Sequence, residues 1–224
     1  MQTKEQNMNN IFNYDNGFFR AVNKIVDGFW ASILWLVFSL PIVTLGASTT
    51  AFYYTVHKSL RGNRGYIWQS FWSAFKSNFK QTTKIWLILL AVFTFLFADQ
   101  QITRQFLEQG SKLGMLYYFF LFLLLYWAVW CVYIFSYSAR FENSLKHTMK
   151  NAAIISLLNL PWSILVLVLL LAGMLLIYIS PIAVTFIPAG VMCLYDMFLE
   201  RIYRKYMTED DLKKEQELDW EKHY

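Results

Sequence analysis

Three histidines, two cysteines and 15 carboxylates are the side chains of this 224-residue chain from which catalysis or metal binding could be built. His57, His147 and His223 stand far apart, and none has the short spacing to another His or to Cys that a zinc site uses. Cys131 and Cys193 both lie in apolar runs and offer neither a disulfide framework nor a CxxC pair. The sequence contains no Walker lysine motif, no GxGxxG and no nucleophile elbow. The ATPase subunit of an importer is thereby excluded. Asp27, Ser48 and His57 are the residue types of a hydrolase triad, but nothing in their spacing supports one, and packing and hydration account for them. The expectation is a chain that is not an enzyme, with no catalytic residues, no metal and no cofactor.

Ionisable groups inside apolar segments are the second chemical flag, because hydrocarbon tolerates them only where they are paired or face a cavity. Asp196 comes nearest to this. It stands about one turn before Glu200 and Arg201, so its expected place is the cytoplasmic boundary, paired with Arg140 or Lys58 across the bundle or solvated. The middle of every assigned span lacks charge, which argues against a proton- or sodium-coupled pump and leaves a passive pore or an aromatic-lined sugar path open. The segment Pro41 to Thr50 is the other candidate. Pro41 frees a backbone carbonyl, Thr44, Ser48, Thr49 and Thr50 supply hydroxyls to satisfy it, and Gly46 permits a tight turn. Three readings stay open for it: a turn satisfied internally, a helix-docking seam for a partner, or a polar lining for a solute.

The elements that must position these groups follow from composition. Hydrophobic residues make up 57% of the chain, aromatics 19% and charged residues 16%, against about 45–50% apolar and 25% charged in soluble domains. Disorder, collagen-like repeats and coiled coil are excluded, and a polytopic membrane protein is indicated. A bilayer core of about 30 Å needs roughly 20 apolar helical residues. Charge-free stretches run over 28–56, 85–98, 113–139 and 151–195. The expected fold is an all-α transmembrane helical bundle of about six spans, at 18–40, 44–60, 82–98, 113–139, 153–179 and 182–200. Five spans result if 28–56 is one kinked helix. A polar segment at 1–17 precedes this membrane domain of 18–206, and an acidic tail at 207–224 follows it. Between the second and third spans, 66–81 reads as an amphipathic interfacial helix. Trp68, Phe71, Trp72, Phe75 and Phe79 would be its membrane anchors, with Lys76 and Lys80 on the polar side; the alternative is a helix packed on the cytoplasmic mouth of the bundle.

In the six-span layout, 18 of the 20 Lys and Arg residues fall on one side and only Arg104 and Lys112 on the other. The positive-inside rule puts both termini in the cytoplasm. The net charge of +5 then reflects a basic face beside anionic lipid, and no nucleic-acid partner is needed. Two internal echoes stand out. Phe75, Lys80, Thr82 and Lys84 align with Phe141, Lys146, Thr148 and Lys150 at a constant offset, and Ser39-Leu40-Pro41-Ile42 echoes Ile179-Ser180-Pro181-Ile182. Transporters contain such repeats.

The run Leu34-Trp35-Leu36-Val37-Phe38-Ser39-Leu40-Pro41-Ile42-Val43-Thr44-Leu45-Gly46-Ala47-Ser48-Thr49-Thr50-Ala51-Phe52-Tyr53-Tyr54, followed by Lys58-Ser59-Leu60-Arg61-Gly62 and Asn78-Phe79-Lys80-Gln81, resembles the YesL family, also catalogued as DUF624. The likeness is specific over about 12–85 and beyond that rests on hydropathy and the Pro181 hairpin. The resemblance implies a bacterial integral membrane protein whose neighbours in the genome are carbohydrate ABC importers, polysaccharide-degrading enzymes and two-component regulators. It brings no catalytic or ligand residues. The expectation it supports is an accessory protein of carbohydrate import that meets permease subunits. The alternatives are a small-solute transporter or channel, including a homo-oligomeric one, and a membrane sensor that biases a kinase.

Overall fold

Long apolar runs with no two-residue alternation leave helix as the backbone solution in hydrocarbon, where every N–H and C=O must find a partner within its own segment. The computed structural model describes residues 17–207, and 89% of them are helical, in seven helices with no strand. Helix α1 is Gly17–Ser39, α2 is Leu45–Thr55 with a π-helical continuation Val56–Arg61, and α3 is Ile67–Glu108. Then come α4 (Leu116–Arg140), α5 (Leu145–Leu158), α6 (Leu160–Ile179) and α7 (Ile187–Tyr203). The expected polar segment at 1–17, apart from its last residue, and all but the first residue of the acidic tail at 207–224 lie outside the described residues.

Among the described residues, four helices are long and apolar enough to cross a membrane: Ala21–Ser39 within α1, Ile67–Glu108, Lys112–Arg140 and Leu160–Ile179. The chain is a membrane protein. The helices after the two proline turns are shorter. Residues 45–61 and α7 each hold 17 residues, at the lower end of the roughly 17–25 needed to span.

Two element boundaries differ from the sequence reading. The interfacial helix expected at 66–81 and the span expected at 82–98 are one unbroken helix of 42 residues. It rises through roughly 63 Å at 1.5 Å per residue, twice the hydrocarbon thickness. No Gly or Pro stands between Tyr66 and Glu108 to interrupt it. Its end is sharply made: Gly110 takes φ +69°, its N–H donates to the Leu107 carbonyl, and the Ser111 N–H donates to that of Phe106, the double bond of a Schellman cap. The second difference is a break at Asn159 inside the span expected at 153–179. Pro161, which has no N–H to give, sits in the first turn of α6 and restarts the helix there.

Two clusters form the interior. One gathers Ala31, Leu34, Ala47, Phe52, Phe71 and Ala189, where α1, α2, the first half of α3 and α7 meet. The other gathers Tyr53, Ile85, Trp86, Tyr133, Ile134, Val166 and Leu199 around α4. Phe38 of α1 lies with its ring 5.1 to 5.6 Å from those of Phe71, Trp72 and Phe75. That contact fastens the proximal half of α3 to the bundle.

Candidate functional site

Both proline echoes build the same local structure. Ser39 closes α1, Pro41 is followed by a 3₁₀ turn at Ile42–Thr44, and α2 returns; Ile179 closes α6, Pro181 opens a 3₁₀ turn to Thr185, and α7 returns. The two returning helices meet, and where they meet the bundle buries its charge.

Asp196 of α7 is fully buried. Its carboxylate accepts from the guanidinium of Arg61 and, at 2.9 Å, from His57 Nδ1. A carboxylate only accepts, so this bond fixes Nδ1 as a protonated nitrogen of the imidazole. One turn on, Glu200 receives Arg140 in a two-pronged contact, Nε to Oε1 at 2.7 Å and Nη2 to Oε2 at 3.0 Å. Its Oε1 also lies 3.6 Å from His57 Nδ1 and accepts from the buried Tyr53 hydroxyl at 3.4 Å. His57 and Arg61 are one helical turn apart, and so are Asp196 and Glu200, so each helix presents a pair on one face. The basic pair sits in the π-helical segment, a distortion common at functional sites. Two guanidinium charges balance two carboxylates, which a low-dielectric interior requires.

His57, Asp196 and Glu200 offer ligand atoms within 4.8 Å of one another, a grouping able to hold a metal ion. Here Arg61 and Arg140 supply the countercharge to both carboxylates. The partner expected for Asp196 is corrected on one point: Arg140 pairs with Glu200, and the Lys58 amine donates to the Tyr54 hydroxyl at 3.3 Å. Sequence reasoning singled out Asp196, with Glu200 one turn on and Arg140 across the bundle, and missed His57 and Arg61 as its partners. The available signal was the two i, i+4 pairs at nearly equal distance beyond Pro41 and Pro181.

The Pro41 to Thr50 candidates are brought together, facing their own hairpin. The Thr44 hydroxyl lies 2.6 Å from the Phe38 carbonyl and 2.8 Å from that of Pro41. Ser39 donates to Ser48 Oγ, Ser48 donates to the Trp35 carbonyl, and the Trp35 indole donates to Thr49 Oγ1. Gly46 lies so close to α3 that an added Cβ would come within 2.6 Å of Trp86 Cβ and 2.8 Å of the Thr82 carbonyl. The Trp86 indole in turn caps the Ile42 carbonyl at 2.6 Å. Of the three readings, the geometry realises the internally satisfied turn and makes Gly46 a seam between α2 and α3.

The expected membrane anchors divide. Phe71 and Phe75 are buried in the bundle, contrary to an anchoring role, because Phe38 and Ala31 supply a protein surface for them. Trp68, Lys76, Phe79 and Lys80 are exposed, and Trp72 is half-buried with the Lys76 amine 4.8 Å over its ring.

A family model described as "Protein of unknown function, DUF624" matches residues 29–100. That stretch holds Tyr53, His57 and Arg61 together with the whole Gly46 seam; Arg140, Asp196 and Glu200 lie beyond it. No curated protein and no solved structure matches the chain.

Proposed function

For a membrane protein with a DUF624 segment at 29–100, we propose a non-enzymatic accessory or assembly role in carbohydrate import, exercised by docking against permease subunits in the cytoplasmic membrane. The observation that carries this reading is the buried charge network. Asp196 is held by Arg61 and His57, and Glu200 by Arg140, so the buried ionisable groups tie α7 to the return segment of the first hairpin and to α4. That is the architecture of a scaffold. The outward faces of α4 and α6 are apolar and exposed, with Tyr118, Phe122, Ile164 and Met174 among the side chains left for lipid or a partner helix. The carbohydrate context comes from the family resemblance. Six spans with both termini inside remain part of the proposal and rest on the lysine and arginine distribution.

Purification from mild detergent tests it. Permease subunits should co-purify with the tagged full-length protein, and deletion should slow growth on the matching sugar. Normal growth and no permease in the eluate would refute it. A second reading, a small-solute transporter, is favoured by the π-helical segment and the histidine it brings to a buried carboxylate. Sugar flux through liposomes that contain this protein alone would decide for that reading.

A further inference from the structure

We infer that the basic face of α3 at Lys76, Lys80 and Lys84 is a binding site for the phosphate headgroup of an anionic phospholipid, a site separate from the charge network and from any permease contact. The three lysines recur every four residues and so line one face of the helix. All three are exposed. The helix carries no acidic residue from Ile67 to Ala98, and none of the three lysines forms an ion pair among the described residues. Lys76 and Lys80 border a shallow, open surface lined with Phe75, Ser77 and Phe79 of the same helix. The exposed Phe79 ring and the Lys76 and Lys80 ammonium groups therefore share one stretch of the helix surface, where acyl chain and phosphate can both be met.

Depth points to lipid as the occupant. Because α3 is continuous, the apolar run that begins at Ile85 fixes where hydrocarbon starts. Lys84, Lys80 and Lys76 then stand roughly 6 Å apart along the axis from that boundary outward, through the headgroup layer. A second helix reinforces the charge. The Gln81 amide donates to the Asn143 carbonyl at 2.6 Å and to Thr148 Oγ1 at 3.3 Å. This ties the start of α5, with Lys146 and Lys150, to the same end of α3. A phosphate here meets several ammonium groups, with no carboxylate on the α3 face and the exposed Glu142 beside Asn143 as the one acidic group of the adjoining segment, an excess of positive charge of the kind that holds anionic lipid.

Native mass spectrometry of the full chain, titrated in detergent with phosphatidylglycerol, phosphatidylcholine or inorganic phosphate, tests the site. Phosphatidylglycerol adducts should survive at collision energies that strip phosphatidylcholine. The triple variant K76Q/K80Q/K84Q should retain them at least tenfold less, and K76R/K80R/K84R should retain them as the natural chain does. An unchanged melting temperature in phosphatidylcholine confirms that the variants fold. Equal retention of both lipids, or full retention by the glutamine variant, overturns the proposal. Competition by millimolar inorganic phosphate without any lipid preference would assign the lysines to free phosphate and overturn it as well. None of these outcomes depends on whether a permease co-purifies.

Discussion

Glu200 and Asp196 sit one turn apart in α7, yet breaking their ion pairs should have unequal costs. The Arg140 side chain is 14% exposed and grips Glu200 with two nitrogens. Glu200→Ala takes that carboxylate from a guanidinium with little access to water, and should cost about 3–5 kcal/mol, read as a shift of the denaturation midpoint in detergent micelles. Arg61→Ala should cost clearly less. The Arg61 side chain is 38% exposed, so water already screens it, and His57 still holds Asp196 in the variant. The opposite ranking would mean that the Arg61 contact between the hairpins, and not the Arg140 contact between α4 and α7, carries more of the stability. Only part of this network was readable in the sequence. Asp196 stands out as a charge within an apolar stretch, whereas its partners lie 135 and 139 residues upstream, and linear spacing carries no record of which helices will touch.

The α2–α3 seam is the element most sensitive to a single added atom group. Gly46→Ala drives a methyl into the Thr82 carbonyl and Trp86 Cβ, so α2 must move off α3. Overpacking of this kind costs about 1–3 kcal/mol and should also blue-shift or broaden the Trp86 fluorescence in a background where the other tryptophans are replaced. Thr44→Val tests the turn itself. It removes the hydroxyl that serves the Phe38 and Pro41 carbonyls, with an expected loss of about 1–2 kcal/mol in the same micelle assay. A neutral Thr44→Val would show that Thr44 is dispensable to the turn. Element types were legible from hydropathy because unbroken apolar runs admit one backbone solution. Boundaries were less so. The amphipathic 66–81 and the apolar 82–98 differ in composition, but no residue between them interrupts the hydrogen-bond ladder, so they fuse. Pro161 was overlooked as a breaker because it lies within the apolar run, and the helix restarts around it.

Across the whole molecule, the two proline hairpins form a pair whose returning helices carry complementary groups: His57 and Arg61 on one, Asp196 and Glu200 on the other. The six-span layout makes a direct prediction about sidedness. With Cys131 and Cys193 replaced by serine, Gln109→Cys should react with a membrane-impermeant thiol reagent in whole cells and Lys205→Cys should not; labelling of both, or of Lys205→Cys alone, would rule the layout out. The pairing of the hairpins also governs how the protein is made. Asp196 follows Arg61 by 135 residues, so at about 5–20 residues per second roughly 7 to 27 s of translation separate them. During that interval the first hairpin is already at the membrane with its guanidinium waiting for an anion that the ribosome has not yet produced. Among the described helices α7 therefore acts as a keystone, and nascent chains cut short before position 196 would be left as substrates for membrane quality-control proteases.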